Sequence, residues 1–202
     1  MGLYDRYLAL RIRLAEAPLP ETVAVMLTER DLLQAGGYDR LSALLEWAFA
    51  FDAEKVVVHV SVLDSEVIPT LETAMADLDA PRPVAVRSPG NVTRADAPVQ
   101  VSIGLGGKHE FAAAAQSIAE DVAAGDINPA DITDADIERE LVFPGEPDLF
   151  VKTGAERLSD FMIWQSVYAE LYFTDVNWQN LRRRDYLRAL RDYQDRQRRF
   201  GE

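Results

Sequence analysis

Three short runs rich in β-branched residues constrain this chain more than any other feature. They are Thr22–Leu27 (TVAVML), Lys55–Leu63 (KVVVHVSVL) and Val99–Leu105 (VQVSIGL). Such runs read as strands, the first two buried in a sheet that is covered on both faces. Val84–Val86 and Asp148–Val151 are shorter candidates. Helical patterns separate them. Tyr4–Ala15 carries Leu3, Tyr7, Leu10 and Leu14 at helical spacing, and Pro18 and Pro20 end it. Tyr38–Phe51 points Leu41, Leu44, Leu45, Ala48 and Phe49 inward. Val67–Leu78, Glu110–Ala124, Ser159–Tyr172 and Arg184–Phe200 are the other helices, and Asp131 and Thr133 are placed to cap short helices within Asn128–Leu141. Strands alternating with helices predict an α/β fold, a mainly parallel central sheet flanked by helices, in one domain over residues 1–202. Ligands of such sheets sit beyond the carboxyl ends of the strands. The segments after Leu27, Leu63, Leu105 and Val151 are therefore the places for chemistry.

Charge narrows the partners. The chain carries 34 Asp and Glu against 21 Lys and Arg, a net −13, and only three lysines: Lys55, Lys108 and Lys152. Without a general basic surface to displace counterions, nucleic acid is not expected as a partner. Carboxylates in such excess suit a salt-rich, halophilic cytoplasm, where salt screens their repulsion. There is no cysteine, which removes disulfides, zinc–thiolate sites and thiol catalysis. No apolar run approaches the ~20 residues of a membrane span. The first residues lack the apolar stretch of a leader peptide, so a cytoplasmic location is expected. The charge is uneven: residues 151–202 hold ten basic and eight acidic residues, so the C-terminal quarter is where an anion could bind.

That quarter is also the densest in signal. Pro147 opens PDLFVKTGAERLSDFMIWQ, which runs on through SVYAELYFTDVNW and closes as LRALRDYQDRQRRFG at Gly201. A strand ends at Val151, a turn holds Thr153 and Gly154, and Arg157 and Ser159 stand at a helix start. Cation, hydroxyl and free backbone N–H groups there suit a phosphate or diphosphate, with Lys152 as a flexible point charge. Ser159 as a plain N-cap and Arg157 as a solvated charge account for the same residues. His59 reads as a core residue of its strand. Trp47, Trp164 and Trp178 read as packing residues.

The stretch Lys152-Thr153-Gly154-Ala155-Glu156, Arg157-Leu158-Ser159-Asp160-Phe161, Trp164-Gln165 and Tyr168-Ala169-Glu170-Leu171-Tyr172-Phe173 closely resembles the C-terminal third of cis-prenyltransferases, the undecaprenyl diphosphate synthase family. Gly106-Gly107-Lys108-His109-Glu110 resembles the family's Gly-Gly-Arg-x-Glu turn, and Leu19–Ala24 the lead into its first strand. The resemblance implies condensation of isopentenyl diphosphate onto an allylic diphosphate with Mg²⁺. The product is a long polyprenyl diphosphate, the lipid carrier of glycosylation (dolichol-type). Lys152, Arg157 and Ser159 would grip isopentenyl diphosphate, and Glu170 would help hold the metal. Arg199 and Gly201 match an Arg-x-Gly arm that reaches across a dimer interface. Lys152 stands where the family has arginine, so a bidentate grip becomes a point contact.

Other parts of the pattern are missing. Where the family's first strand leads into Met-Asp-Gly-Asn, this chain reads Leu27-Thr28-Glu29-Arg30-Asp31. Thr28 replaces the metal-binding aspartate. Glu29 replaces a glycine that lets backbone amides approach a diphosphate, and its charge repels that anion. The Phe-Ser-Thr-Glu-Asn segment is here roughly Ser61–Ser65, and the stretch from there to Gly106 is short, with Pro81, Pro83, Pro89 and Pro98. It cannot supply the long helices that wall a product tunnel. The resemblance with these losses implies a non-catalytic subunit that pairs with a catalytic cis-prenyltransferase, or forms a homodimer. It would donate its C-terminal arm, bind diphosphate isoprenoids, and touch the membrane peripherally through the lipid product. The alternative is an active short-chain enzyme in which Asp31 or Glu29 binds the metal.

Overall fold

The computed structural model describes residues 2–91, 96–141, 143, 145–154, 162 and 164–196. The β-branched runs form strands β1 (Thr22–Thr28), β2 (Lys55–Ser61) and β4 (Val99–Ile103), joined by β3 (Val84–Arg87), β5 (Leu149–Thr153) and β6 (Glu170–Thr174). The six make one parallel sheet in the order β3-β4-β2-β1-β5-β6. Around it run helices α1 (Leu3–Leu14), α2 (Glu29–Leu33), α3 (Gly37–Ala50), α4 (Ile68–Ala76), α5 (Gly107–Ala124), α6 (Asp134–Glu140) and α7 (Arg183–Asp195). Among the described residues no helix is long and apolar enough to cross a membrane.

Alternation along each strand divides the interior in two. Val23, Val25 and Leu27 of β1, with Val56, Val58 and Val60 of β2, pack on one face against α1, α3, α4 and α7 in the larger core. Ala24, Met26, Val57 and Phe150 face the other way, under Phe143 and Met162. The second face turns polar toward β3 and β4. There buried Arg87 donates to Gln100 at 2.9 Å and lies 4.9 Å from the centre of the Phe143 ring, near buried His59 and Ser102. The Asp148 carboxylate accepts from the amides of Glu21 and Thr22, both at 2.9 Å, and so ties the starts of β1 and β5 together. Gln194 on α7 donates to the carbonyls of Ile12 and Ala17, fastening α1 to α7.

Three expectations are corrected. The helix expected through Tyr172 gives way to β6, because Glu170–Thr174 pairs along β5 from Leu149↔Glu170 to Thr153↔Thr174. An open parallel edge is satisfied better by an aromatic strand than by the local helical spacing. In α1 the buried residues are Leu8 and Ile12, while Leu3, Tyr7, Leu10 and Leu14 face solvent. In the 128–141 segment Asn128, not Asp131, caps the first turn through the amide of Ala130, whereas Thr133 stands at the N-cap of α6, its amide and hydroxyl both donating to the Asp136 carboxylate at 2.9 Å. The only helix among the described residues between Leu63 and Gly106 with more than one turn is α4, nine residues long.

Candidate active site

In this strand order β1 leads to β2 on one side, while β5 leads to β6 on the other. The gap beyond the carboxyl ends of β1 and β5 is the topological switch point, where sheets of this kind hold ligands. Thr28 ends β1 there. Lys152, paired with Met26, sits half-buried near the end of β5, and Gly154 follows with φ 78°, a left-handed turn that suits glycine. Arg157 and Ser159 lie outside the described residues, as do Arg199 and Gly201.

The loop after β1 is closed on itself. Thr28 is the N-cap of α2, and its hydroxyl accepts from the Asp31 amide at 3.3 Å. The Asp31 carboxylate answers by accepting from the Thr28 amide at 2.9 Å and the Thr28 hydroxyl at 2.7 Å. This reciprocal box commits Asp31 locally. The Glu29 carboxylate reaches the loop after β2, accepting from the amides of Leu63 at 2.9 Å and Asp64 at 3.4 Å. A fixed internal anion thus occupies backbone donors at the carboxyl end of β2. Sequence reasoning placed a repelling charge at Glu29 but not this bond, which joins residues 34 apart.

The α2–α3 turn is latched from behind. Gln179 donates to the Asp31 carbonyl at 2.7 Å, and Trp178 donates to the Gly37 carbonyl at 3.1 Å. Gly37 is packed so closely that a Cβ would lie 2.4 Å from the carbonyl oxygens of Asp31 and Leu32. Trp178 is therefore a buried packing residue with a partner for its indole N–H, as expected.

These donors do not fit Mg²⁺. The ion requires several oxygen ligands in near-octahedral array, with carboxylates to offset its charge. Thr28 offers one neutral hydroxyl that already donates to Asp31, and the Asp31 and Glu29 carboxylates hold backbone amides. Glu170 lies elsewhere. It opens β6 level with Leu149, three residues before Lys152, or roughly 10 Å back along the strand. Its carboxylate accepts from Arg196 at 3.2 Å, at the end of α7. The chain therefore brings Glu170 to the root of its C-terminal segment and away from Thr28. Nearby on β6, burial, and then the Asp192 carboxylate, push the Tyr172 hydroxyl above its ordinary range.

Two of the sequence motifs meet in the fold. Glu110, buried in the first turn of α5, accepts from the amide of Phe143 at 3.2 Å and from the side chain of Gln165 at 3.4 Å. Gln165 also donates to the Phe143 carbonyl at 3.1 Å. Trp164 stacks on Phe111 with ring centres 5.9 Å apart. The Gly-Gly-x-x-Glu turn and the Trp-Gln pair are thus structural partners.

The sequence model for undecaprenyl diphosphate synthase, a prenyltransferase family, matches residues 78–201. The chain is 31% identical to a tritrans,polycis-undecaprenyl-diphosphate synthase (geranylgeranyl-diphosphate specific) from Methanopyrus kandleri, across 98% of this chain and 90% of that protein. Its counterpart from Methanocaldococcus jannaschii is 50% identical over 109 residues, 51% of this chain but only 39% of that protein's length. The Methanopyrus match spans 247 positions against 202 residues here, so at least 45 positions of the relative have no counterpart in this chain. Among solved structures, lavandulyl diphosphate synthase from Lavandula x intermedia, in complex with dimethylallyl diphosphate, superposes with a TM-score of 0.73 at 21% identity, over 91% of this chain and 99% of that one. A probable undecaprenyl diphosphate synthase from Campylobacter jejuni gives 0.69 at 21% identity, over 92% and 100%. These two show the fold.

Proposed function

Because the chain belongs to the undecaprenyl diphosphate synthase family of cis-prenyltransferases, we propose that it is the non-catalytic subunit of a heteromeric member, working beside a catalytic chain that makes polyprenyl diphosphate. The carrying observation is the closed loop after β1. Thr28, Glu29 and Asp31 are all committed to internal hydrogen bonds, and Glu29 holds the Leu63 and Asp64 amides. Ionising an allylic diphosphate needs positive charge or donors aimed at the leaving group, and this loop presents a carboxylate instead. The short-chain alternative would need Asp31 or Glu29 as a metal ligand, and each is already engaged.

The other end of the chain supports the pairing role. Arg196 links α7 to Glu170 and also donates to the Leu171 carbonyl at 2.7 Å, so the segment that follows starts from the edge strand β6. In this reading Arg199 and Gly201 extend into the partner's site, and Mg²⁺ is held by the catalytic partner, since the Glu170 carboxylate is taken up by Arg196. Lys152, Arg157 and Ser159 are left as a weakened isopentenyl diphosphate site. The test is mutagenesis on the reconstituted pair. Arg199→Ala should lower turnover at least ~10-fold, since a contact between charged groups is worth roughly 1.5–3 kcal/mol. Arg157→Ala should change it little. The reverse pattern would mean that this chain uses its own site.

A further inference from the structure

Helix α1 is apolar on two sides. One side buries Leu8 and Ile12 against the main core. At 100° per residue, Leu3, Tyr7, Leu10 and Leu14 fall within about 60° of one another, centred about 150° from that buried side. They are 87%, 53%, 57% and 74% exposed. Soluble surfaces rarely line up large apolar residues in this way without a use for them.

Charge indicates what covers the ridge. On the same projection Arg6 and Arg13 flank it on one side and Arg11 on the other, each about 70–90° from its centre. None of the three forms an ion pair with a carboxylate among the described residues. The Arg11 guanidinium lies over the Tyr7 ring and that of Arg13 over Phe51, so both stay close to α1 without a carboxylate partner among the described residues. Asp5, the one acidic residue of α1, lies toward the buried side. A chain of net charge −13 thus carries a locally positive, Leu- and Tyr-rich helix on its surface.

We infer that α1 is a membrane-surface helix that lies in the interface of a bilayer with anionic headgroups. Leu3, Leu10 and Leu14 enter the acyl boundary, Tyr7 sits at headgroup level, and Arg6, Arg11 and Arg13 snorkel to the lipid phosphates. The acidic remainder of the protein is repelled by such a surface and faces away from it, and salt moderates that repulsion. This surface would serve a catalytic and a non-catalytic chain alike.

The test is co-flotation of the full chain with vesicles of phosphatidylglycerol mixed with phosphatidylcholine, and with phosphatidylcholine alone. Binding should favour the anionic vesicles. The double variant Leu10→Glu/Leu14→Glu changes exposed side chains only, so its melting temperature should hold while its vesicle affinity falls at least ~10-fold. Arg6→Glu/Arg13→Glu should abolish the preference for anionic lipid. Failure of the wild-type chain to float, equal binding to both vesicle types, or a double variant that floats as well as wild type would each overturn the inference. So would loss of a protein complex, seen by sedimentation, in place of lost flotation, since the ridge would then be a protein interface.

Discussion

Replacing Glu29 by alanine should loosen the closed loop and open it to anions at the same time. In the native chain the Glu29 carboxylate accepts from Leu63 at 2.9 Å, a good bond, and from Asp64 at 3.4 Å, a long one. Both are solvent-exposed, so together they contribute about 1 kcal/mol. For a domain of this size that corresponds to a melting temperature lower by roughly 2–4 °C. The electrostatic consequence has the opposite sign. A diphosphate approaching the same amides would stand about 5 Å from the carboxylate. At the dielectric of water each pair of unit charges then repels by about 0.8 kcal/mol, or about 2 kcal/mol for a diphosphate bearing two to three charges. Removing Glu29 should therefore raise affinity for inorganic diphosphate by at least ~10-fold. Glu29→Gln keeps an acceptor oxygen and removes the charge, so it should retain most of the stability while gaining affinity. Thermal melts and calorimetric titration with inorganic diphosphate, without metal, read both quantities. If Glu29→Ala melted with wild type and bound diphosphate no better, the carboxylate would not be what closes this loop.

Other consequences concern the frame around that loop. Gly37→Ala sets a methyl group 2.4 Å from two backbone carbonyls that α2 cannot easily move, so it should cost roughly 2–4 kcal/mol, seen as a large drop in melting temperature; an unchanged melt would mean that the turn is loose. Burial raises the Tyr186 hydroxyl above its ordinary range, and it has no hydrogen-bond partner among the described residues. Its stabilising effect is therefore complete below the unfolded pKa of about 10 and is lost as pH rises from there through the folded value, at up to ~1.4 kcal/mol per pH unit. Tyr186→Phe should flatten the alkaline limb of urea-unfolding stability without loss near neutrality, and an unaltered limb would assign that slope to Tyr38 and Tyr172, which burial also raises. With 34 acidic residues against 21 basic ones, the fold should melt higher in molar KCl than in dilute buffer; a lower melt in KCl would count against a salt-adapted surface.

How far the sequence could be read depended on whether each element's partner was local. The runs at Thr22, Lys55 and Val99 are strands because β-branched residues favour extended backbone and both faces are buried, which composition alone conveys. Glu170–Thr174 was not legible. Tyr168 to Phe173 satisfies helical spacing, and only the open edge of β5, some twenty residues earlier, selects a strand. Helix α1 was legible as a helix but not in its orientation. Leu3, Tyr7, Leu10 and Leu14 make as good a stripe as Leu8 and Ile12, and the contact with α7 decides which side is buried. In the site, the resemblance sets Thr28 where the family has an aspartate, and that reading needs the sequence alone. Its consequence could not be read there, because the Glu29 carboxylate finds its donors across the end of the sheet, on the loop after β2. Glu110 and Gln165 were visible as motif residues, but their bond requires the fold to bring α5 and the segment before β6 together.

The most direct measurement of the subunit role is a prenyl-transfer assay on the purified chain with Mg²⁺, isopentenyl diphosphate and geranylgeranyl diphosphate. It is run first on the chain alone and then with a complete cis-prenyltransferase chain that co-purifies from the same cells. A loop filled by Glu29, with Thr28 in place of a carboxylate ligand, predicts no polyprenyl product from the chain alone and turnover from the pair above that of the partner by itself. Clear product from the chain alone would contradict it, and would make this an active enzyme whose site works with Thr28 and Glu29 in place.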